Sequence, residues 1–313
     1  MFGFMPIRTA DRTLRRRDLL RLAAAWSLPA TLPAGSQPAP GLLTRRIPSS
    51  GELVPVIGLG SWITFNVGND PVARARCAGV MRHFFDAGGR MIDSSPMYGS
   101  SQPVIGEALD QLKPGARLFS ADKVWTSSGG PAQVEQSRQF WRVPRFDLLQ
   151  VHNLLAWQQH LPMLFAMKRS GQLRYVGITT SEGRRHAEVE RIMQAHPLDF
   201  VQVSYNILDR EVEQRILPLA RERGIAVIAN RPFREGQLVD AMRKHRLPAW
   251  AAEIDCGSWP QFLLKFIVSH PAITCAIPAT GDPAHVRENL GAARGRLPDE
   301  AMRRQMVAHV ARL

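Results

Sequence analysis

Four side chains of complementary chemistry recur at comparable positions in this chain. "MIDSSPMYGSSQ" (91–102) runs from an apolar pair into Asp93 and places Tyr98 five residues later. "FSADK" ends on Lys123, and "FDLLQVH" ends on His152. Taken singly, a strand-end Asp caps a turn, a loop Tyr packs its ring, a Lys is a solvated charge and a lone His is a satisfied core residue. Together they form a proton-transfer unit. A phenol is a poor acid or base at neutral pH, because its ordinary pKa is about 10. A neighbouring ammonium favours the phenolate and is expected to lower that value. Asp93 would anchor Lys123, Lys123 would tune Tyr98, and His152 would hydrogen-bond a carbonyl or alcohol oxygen.

The elements that must position these groups alternate along the chain from about residue 42. Candidate strands are 56–60, 90–94, 118–123, 146–152, 175–179, 200–204, 226–230 and 274–278. Most are continuous apolar runs, as expected for strands buried on both faces of a parallel sheet. Helical spacing fills the gaps between them. The segment 161–171 closes on a Gly, 209–224 opens on Asp209 and closes on Gly224, and 282–290 opens on Asp282 followed by Pro283. Eight such strands in about 270 residues predict an α/β fold, the (β/α)8 TIM barrel, whose strand C-termini carry catalytic groups. An open doubly wound sheet is the alternative, but "GLG" at 58–60 lacks the third glycine of a dinucleotide fingerprint.

With these segments in order, residues 42–313 resemble the aldo-keto reductase family. "VPVIGLGSW" is similar to its opening strand, "IDSSPMYGSSQPVIGEAL" to its Asp-and-Tyr loop, and "FSADKV" to its lysine strand. "RFDLLQVHN", "SGQLRYVGITTS", "FVQVSYNILDRE", "GIAVIANRPF" and "AIPATGDPAHVRENLGAA" follow in family order. The resemblance implies an enzyme that reduces an aldehyde or ketone with NADPH, or with NADH, the cofactor lying across the barrel mouth. Tyr98 would give the proton and His152 would orient the carbonyl. Tyr205 would stack on the nicotinamide, and Gln202 would reach its carboxamide. Thr280, Glu288 and Asn289 would line the phosphate and adenine site, with backbone N–H groups near Asp282 suited to an anion.

The chain departs from the family pattern in three places. Thr179-Thr180 stands where Ser-Asn is common, and Arg231-Pro232 where Ser-Pro is common. Ala279 and His285 replace a Lys and an Arg that grip a 2′-phosphate in many members. Trp62, Trp125 and Trp157 each follow a candidate strand, so they either line a substrate pocket or cover the barrel rim. A cofactor-bound sensor on the same barrel, with little turnover, is the rival reading.

Composition bounds the remaining possibilities. The 313 residues are 45% hydrophobic and 21% charged, an ordinary globular balance. The net charge of +13 is dispersed, without a basic stripe interleaved with aromatics, so nucleic-acid binding is not expected. The three cysteines and nine histidines show no metal-ligand spacing, so no metal is expected. No run reaches the roughly 18 apolar residues of a membrane helix. Residues 1–41 hold six Arg and two Asp. They read as a leader and spacer: a basic cluster at Arg15–Arg17, a weakly apolar stretch, then small residues and prolines. "RRDLLR" (16–21) resembles a twin-arginine signal, which implies engagement of that translocase and a periplasmic or otherwise exported protein. An exposed amphipathic helix on a cytoplasmic protein is the alternative.

Overall fold

The computed structural model describes residues 1–3 and 41–313. The leader reading, with its core at 16–21, lies outside the described residues. A hairpin comes first, β1 (Thr44–Arg46) antiparallel to β2 (Leu53–Pro55). Eight parallel strands follow: β3 (Leu59–Gly60), β4 (Met91–Asp93), β5 (Phe119–Val124), β6 (Phe146–Val151), β7 (Leu173–Thr179), β8 (Phe200–Ser204), β9 (Ala226–Asn230) and β10 (Ile273–Ala276). Each hydrogen-bonds its chain neighbour in order. Around them run α1 (Pro71–Asp86), α2 (Ser101–Leu112), α3 (Gly130–Trp141), α4 (Trp157–Arg169), α5 (His186–Ala195), α6 (Ile216–Arg223), α7 (Gln237–Met242), α8 (Trp259–Ser269), α9 (Pro283–Gly291) and α10 (Glu300–Val310).

The ring closes where the first strand meets the last. Gly58 N–H donates to Ala276 O (2.8 Å), Ala276 N–H to Val56 O (2.9 Å) and Gly60 N–H to Pro278 O (3.0 Å). A Cβ at Gly60 would stand 2.7 Å from Ile277 O, so only glycine permits this approach. The predicted (β/α)8 barrel is therefore the observed fold.

Strand alternation separates two cores. Outward residues such as Ile92, Leu149, Val176, Val201 and Val227 pack under the helices. Inward residues Met91, Phe119, Leu148, Tyr175, Phe200 and Ala226 fill the lower lumen. Ile47 and Val54 of the hairpin complete that lower core. The hairpin is pinned there by Glu52, which accepts hydrogen bonds from Arg90 (3.0 Å), Tyr175 Oη (2.9 Å) and Arg174.

One predicted helix is shorter than expected. Asp209 does not cap a helix, because its carboxylate is taken by Arg234 and by Asn206 Nδ2 (2.7 Å). The chain makes a single 3₁₀ turn at Glu211–Glu213, and α6 begins only at Ile216. Pro218 then falls in the first turn, where a missing N–H is tolerated, and Gly224 ends the helix at φ 64°. The 282–290 reading holds: Asp282 caps α9 by accepting from Ala284 N–H (2.8 Å).

Candidate active site

Two to four residues along the strands, the lumen changes from apolar to polar. Above Met91 stands Asp93, above Leu148 stand Gln150 and His152, and above Phe200 stands Gln202. Lys123, the next inward position but one above Phe119, is 1% exposed, and its Nζ lies 2.5 Å from Asp93 Oδ2 and 2.8 Å from Ser94 O. The other Asp93 oxygen accepts from Gln202 Nε2 (2.9 Å) and Gln150 Nε2 (3.4 Å). A buried ammonium without a partner would lose its proton. Burial pulls the Lys123 pKa down, but the charges of Asp93 and Tyr98 outweigh it and leave the ammonium above its ordinary value.

A turn delivers the phenol. Ser95 O accepts from Tyr98 N–H (3.0 Å), with Pro96 at the second position, where its fixed φ favours the bend. Gly99 then turns the chain back at φ 58°, and a Cβ there would meet Asn66 Oδ1 at 2.2 Å. The Tyr98 ring lies 5.1 Å from Lys123 Nζ, 4.9 Å from the Trp62 ring and 5.7 Å from the His152 ring, edge to face. The sequence reading expects Lys123 to lower the phenol's pKa. In the structure the net direction is upward, because burial of the phenol outweighs the nearby ammonium. Tyr98 is thus held protonated, the state that proton donation needs, beside an ammonium whose charge favours the phenolate.

His152, immediately after β6, is pushed down to about 2 by burial and by Lys123, so its ring is neutral. Its Nδ1 lies 2.8 Å from Ser95 Oγ. Asp93, Tyr98 and His152 open onto one cleft of about 340 Å³, also lined by Trp62, Ile63, Met97, Thr179, Gln202, Asn230 and Arg231. Lys123 lies behind Tyr98, in contact with Asp93 and sealed from solvent. The arrangement can donate a proton to an oxygen seated between a phenol and a neutral imidazole.

Residues 56–306 match the model of the Aldo/keto reductase family. The chain belongs to the aldo/keto reductase family. The methylglyoxal reductase YeaE of Escherichia coli (strain K12) is 26% identical over 78% of this chain and 88% of its own. The NADH-specific methylglyoxal reductase of the same organism is 24% identical, over 78% and 91%. Among solved structures, a Klebsiella pneumoniae aldo/keto reductase in complex with NADP and acetate superposes with a TM-score of 0.70 at 22% identity, covering 84% of this chain and 92% of that one. The protein is accordingly an NAD(P)H-dependent oxidoreductase of carbonyl groups.

Not every residue singled out in the reductase sequence reaches the cleft. Thr179 and Gln202 line it, with the Thr179 hydroxyl 3.3 Å from Gln202 Oε1. Thr180 turns its hydroxyl to Arg184 O (2.6 Å) instead. Tyr205 is wholly buried, its hydroxyl 2.5 Å from Glu213 and 2.6 Å from Arg303 and its ring against Phe266 and His270, so it has no face for a nicotinamide. Asn230, the last residue of β9, lines the cleft. Arg231 lines it too, in ion pairs with Glu235 (2.7 Å) and Glu182 (3.2 Å). Thr280, His285, Glu288 and Asn289 sit at and along α9, beyond Ala279 at the cleft edge, and the Thr280 hydroxyl accepts from Asp282 N–H (3.1 Å).

Of the three tryptophans, only Trp62 lines the cleft. Trp125 stands 40% exposed outside it, and Trp157 is drawn to α5, where its Nε1 donates to Glu188 (2.8 Å) and its ring meets His196. Sequence reasoning missed Ser95, Gln150 and Asn230. Counting back two residues from His152 finds Gln150, and the strand-end rule that found His152 also finds Asn230.

Proposed function

We propose that this reductase acts on small aldehydes and ketones, α-oxoaldehydes foremost. The observation that carries the reading is the Asp93–Lys123 pair set behind the Tyr98 phenol, with neutral His152 on the same cleft. Support for the substrate class comes from the two methylglyoxal reductases among its relatives and from the cleft itself. Its small volume is walled by Trp62, Ile63, Met97 and Phe233.

The donor set fits a flat, amide-bearing heterocycle. The Thr179 hydroxyl and the Gln202 and Asn230 amides meet beside Tyr98, with Gln202 Oε1 3.4 Å from Asn230 Nδ2. Once bound, a reduced nicotinamide supplies the hydride. The chain's own residues do the rest. His152 and Tyr98 fix the carbonyl oxygen, Tyr98 Oη gives it a proton, and Lys123 stabilises the resulting phenolate. The Trp62 ring packs beside the Tyr98 ring, 4.9 Å away and tilted by 56°. NADPH is the first expected cofactor; NADH is the second, open because Ala279 and His285 leave the 2′-phosphate grip without the two cations common in the family. The leader supports the further proposal of export through the twin-arginine route.

The test mixes purified protein with NADPH or NADH and a panel of aldehydes, with methylglyoxal included, and follows absorbance at 340 nm. Cofactor binding without turnover on any carbonyl would overturn the reading in favour of the sensor.

A further inference from the structure

We infer that Ser95 is a positioning residue that fixes the tautomer of His152, a reading that rests on the carbonyl reduction proposed above. Ser95 is wholly buried between Asp93 and Tyr98 in the chain. Its Oγ has two partners: Met97 N–H, at 3.2 Å, and His152 Nδ1, at 2.8 Å. The Met97 contact is fixed in direction, because an amide only donates. The hydroxyl therefore accepts there and has one hydrogen left to place. If His152 Nδ1 carried a proton, Ser95 would accept twice and its own hydrogen would be stranded in a buried site. The arrangement that satisfies every group has Met97 N–H donating to Ser95 Oγ, and the Ser95 hydroxyl donating to the Nδ1 lone pair. The ring proton is then on Nε2, the nitrogen left for the cleft that His152 lines.

This placement matters for a carbonyl oxygen, which offers only lone pairs. A ring with its proton on Nδ1 would present a lone pair to that oxygen and repel it. The neutral state of His152 fits the relay, because an imidazolium would need Nδ1 as a donor. Ser95 thus selects which face of an amphoteric ring the substrate meets, without touching substrate itself. The turn's Tyr98 N–H to Ser95 O bond is made by backbone alone, and the side chain adds to it only the Met97 N–H contact.

The test is nitrogen-15 NMR of His152 in labelled full-length protein, alongside kinetics of Ser95→Ala and Ser95→Thr. The wild type is expected to show the Nε2–H tautomer from pH 5 to pH 8. Ser95→Ala should shift the signal towards a mixed population and lower kcat about tenfold, the size of one hydrogen bond, with cofactor Kd unchanged. Ser95→Thr, which keeps a hydroxyl, should restore both. An Nδ1–H signature in the wild type, or an Ser95→Ala protein with wild-type spectrum and rate, would overturn the inference. If the wild type reduced no carbonyl, the functional reading would fail, while the NMR signal would still decide the tautomer.

Discussion

The lower and upper lumen of the barrel share the same strands and differ by a step of two to four residues. Below lie Met91, Phe119, Leu148, Tyr175 and Phe200, with aromatic rings 5.6–6.1 Å apart. Above lie Asp93, Lys123, Gln150 and Gln202, joined by charge and hydrogen bonds, and His152, held by Ser95. The lower layer works by removing apolar surface from water, a non-directional effect. The upper layer holds an ion pair in a site that water cannot reach, which is worthwhile only if every partner is in place. The backbone shows the same division. Ile63, Asn153, Glu182 and Arg231 adopt left-handed φ values around the mouth, a conformation that side-chain-bearing residues rarely take. Stability and chemistry are thus layered along one axis.

The comparison can be broken by substitutions that act on the wrong layer. The largest expected effect is Tyr98→Phe, which removes the proton donor. It should lower kcat by about 10²–10⁴-fold with cofactor affinity and melting temperature near wild type, read by steady-state kinetics and calorimetry. Next comes Phe200→Ala in the lower layer. It should cost about 3–5 kcal/mol in denaturant unfolding while kcat per folded molecule stays within a factor of two or so. A large loss of kcat there would show that the two layers are coupled.

The smallest effect concerns Asp122, which points out of the barrel, beside Lys123 in the chain. Gln102 Nε2 donates to it at 2.6 Å and Lys123 N–H at 2.9 Å. Burial, opposed by Lys123, moves its carboxyl from an ordinary 3.8 up to about 7. The folded chain therefore holds a proton that the unfolded chain releases. The stability this contributes is full below about pH 4 and is lost as pH rises to about 7. Asp122→Asn should flatten that dependence, so its melting temperature should gain on the wild type between pH 5 and pH 8. An unchanged difference across that range would place the charge elsewhere.

The strands were legible because continuous apolar runs announce burial on both faces, and "FVQVS" and "AVIAN" were found at their full extents. The convergence of Asp93, Tyr98, Lys123 and His152 was legible because a strand end tells where an inward residue must emerge. The hairpin was not, since three-residue strands such as Thr44–Arg46 carry too little periodicity to read. Tyr205 misled for a related reason. It follows β8 directly, yet the chain turns outward there, and Arg303 and Glu213, distant in sequence, draw its hydroxyl away from the mouth. Trp157 and Trp125 show the same limit: proximity to a strand end does not say which way a loop residue faces. The pKa of Tyr98 needed three dimensions, because pairing with Lys123 can be guessed from spacing whereas the degree of desolvation cannot.

The seam at Val56, Gly58 and Gly60 sets a timetable for biosynthesis. Seven of the eight junctions join strands that follow one another from the ribosome, whereas the eighth joins the earliest to the last, and it is made by a handful of backbone bonds. The ring cannot shut until residue 278 has emerged, so any nascent chain cut short of β10 leaves both rims as open edges, available to the next unfinished copy.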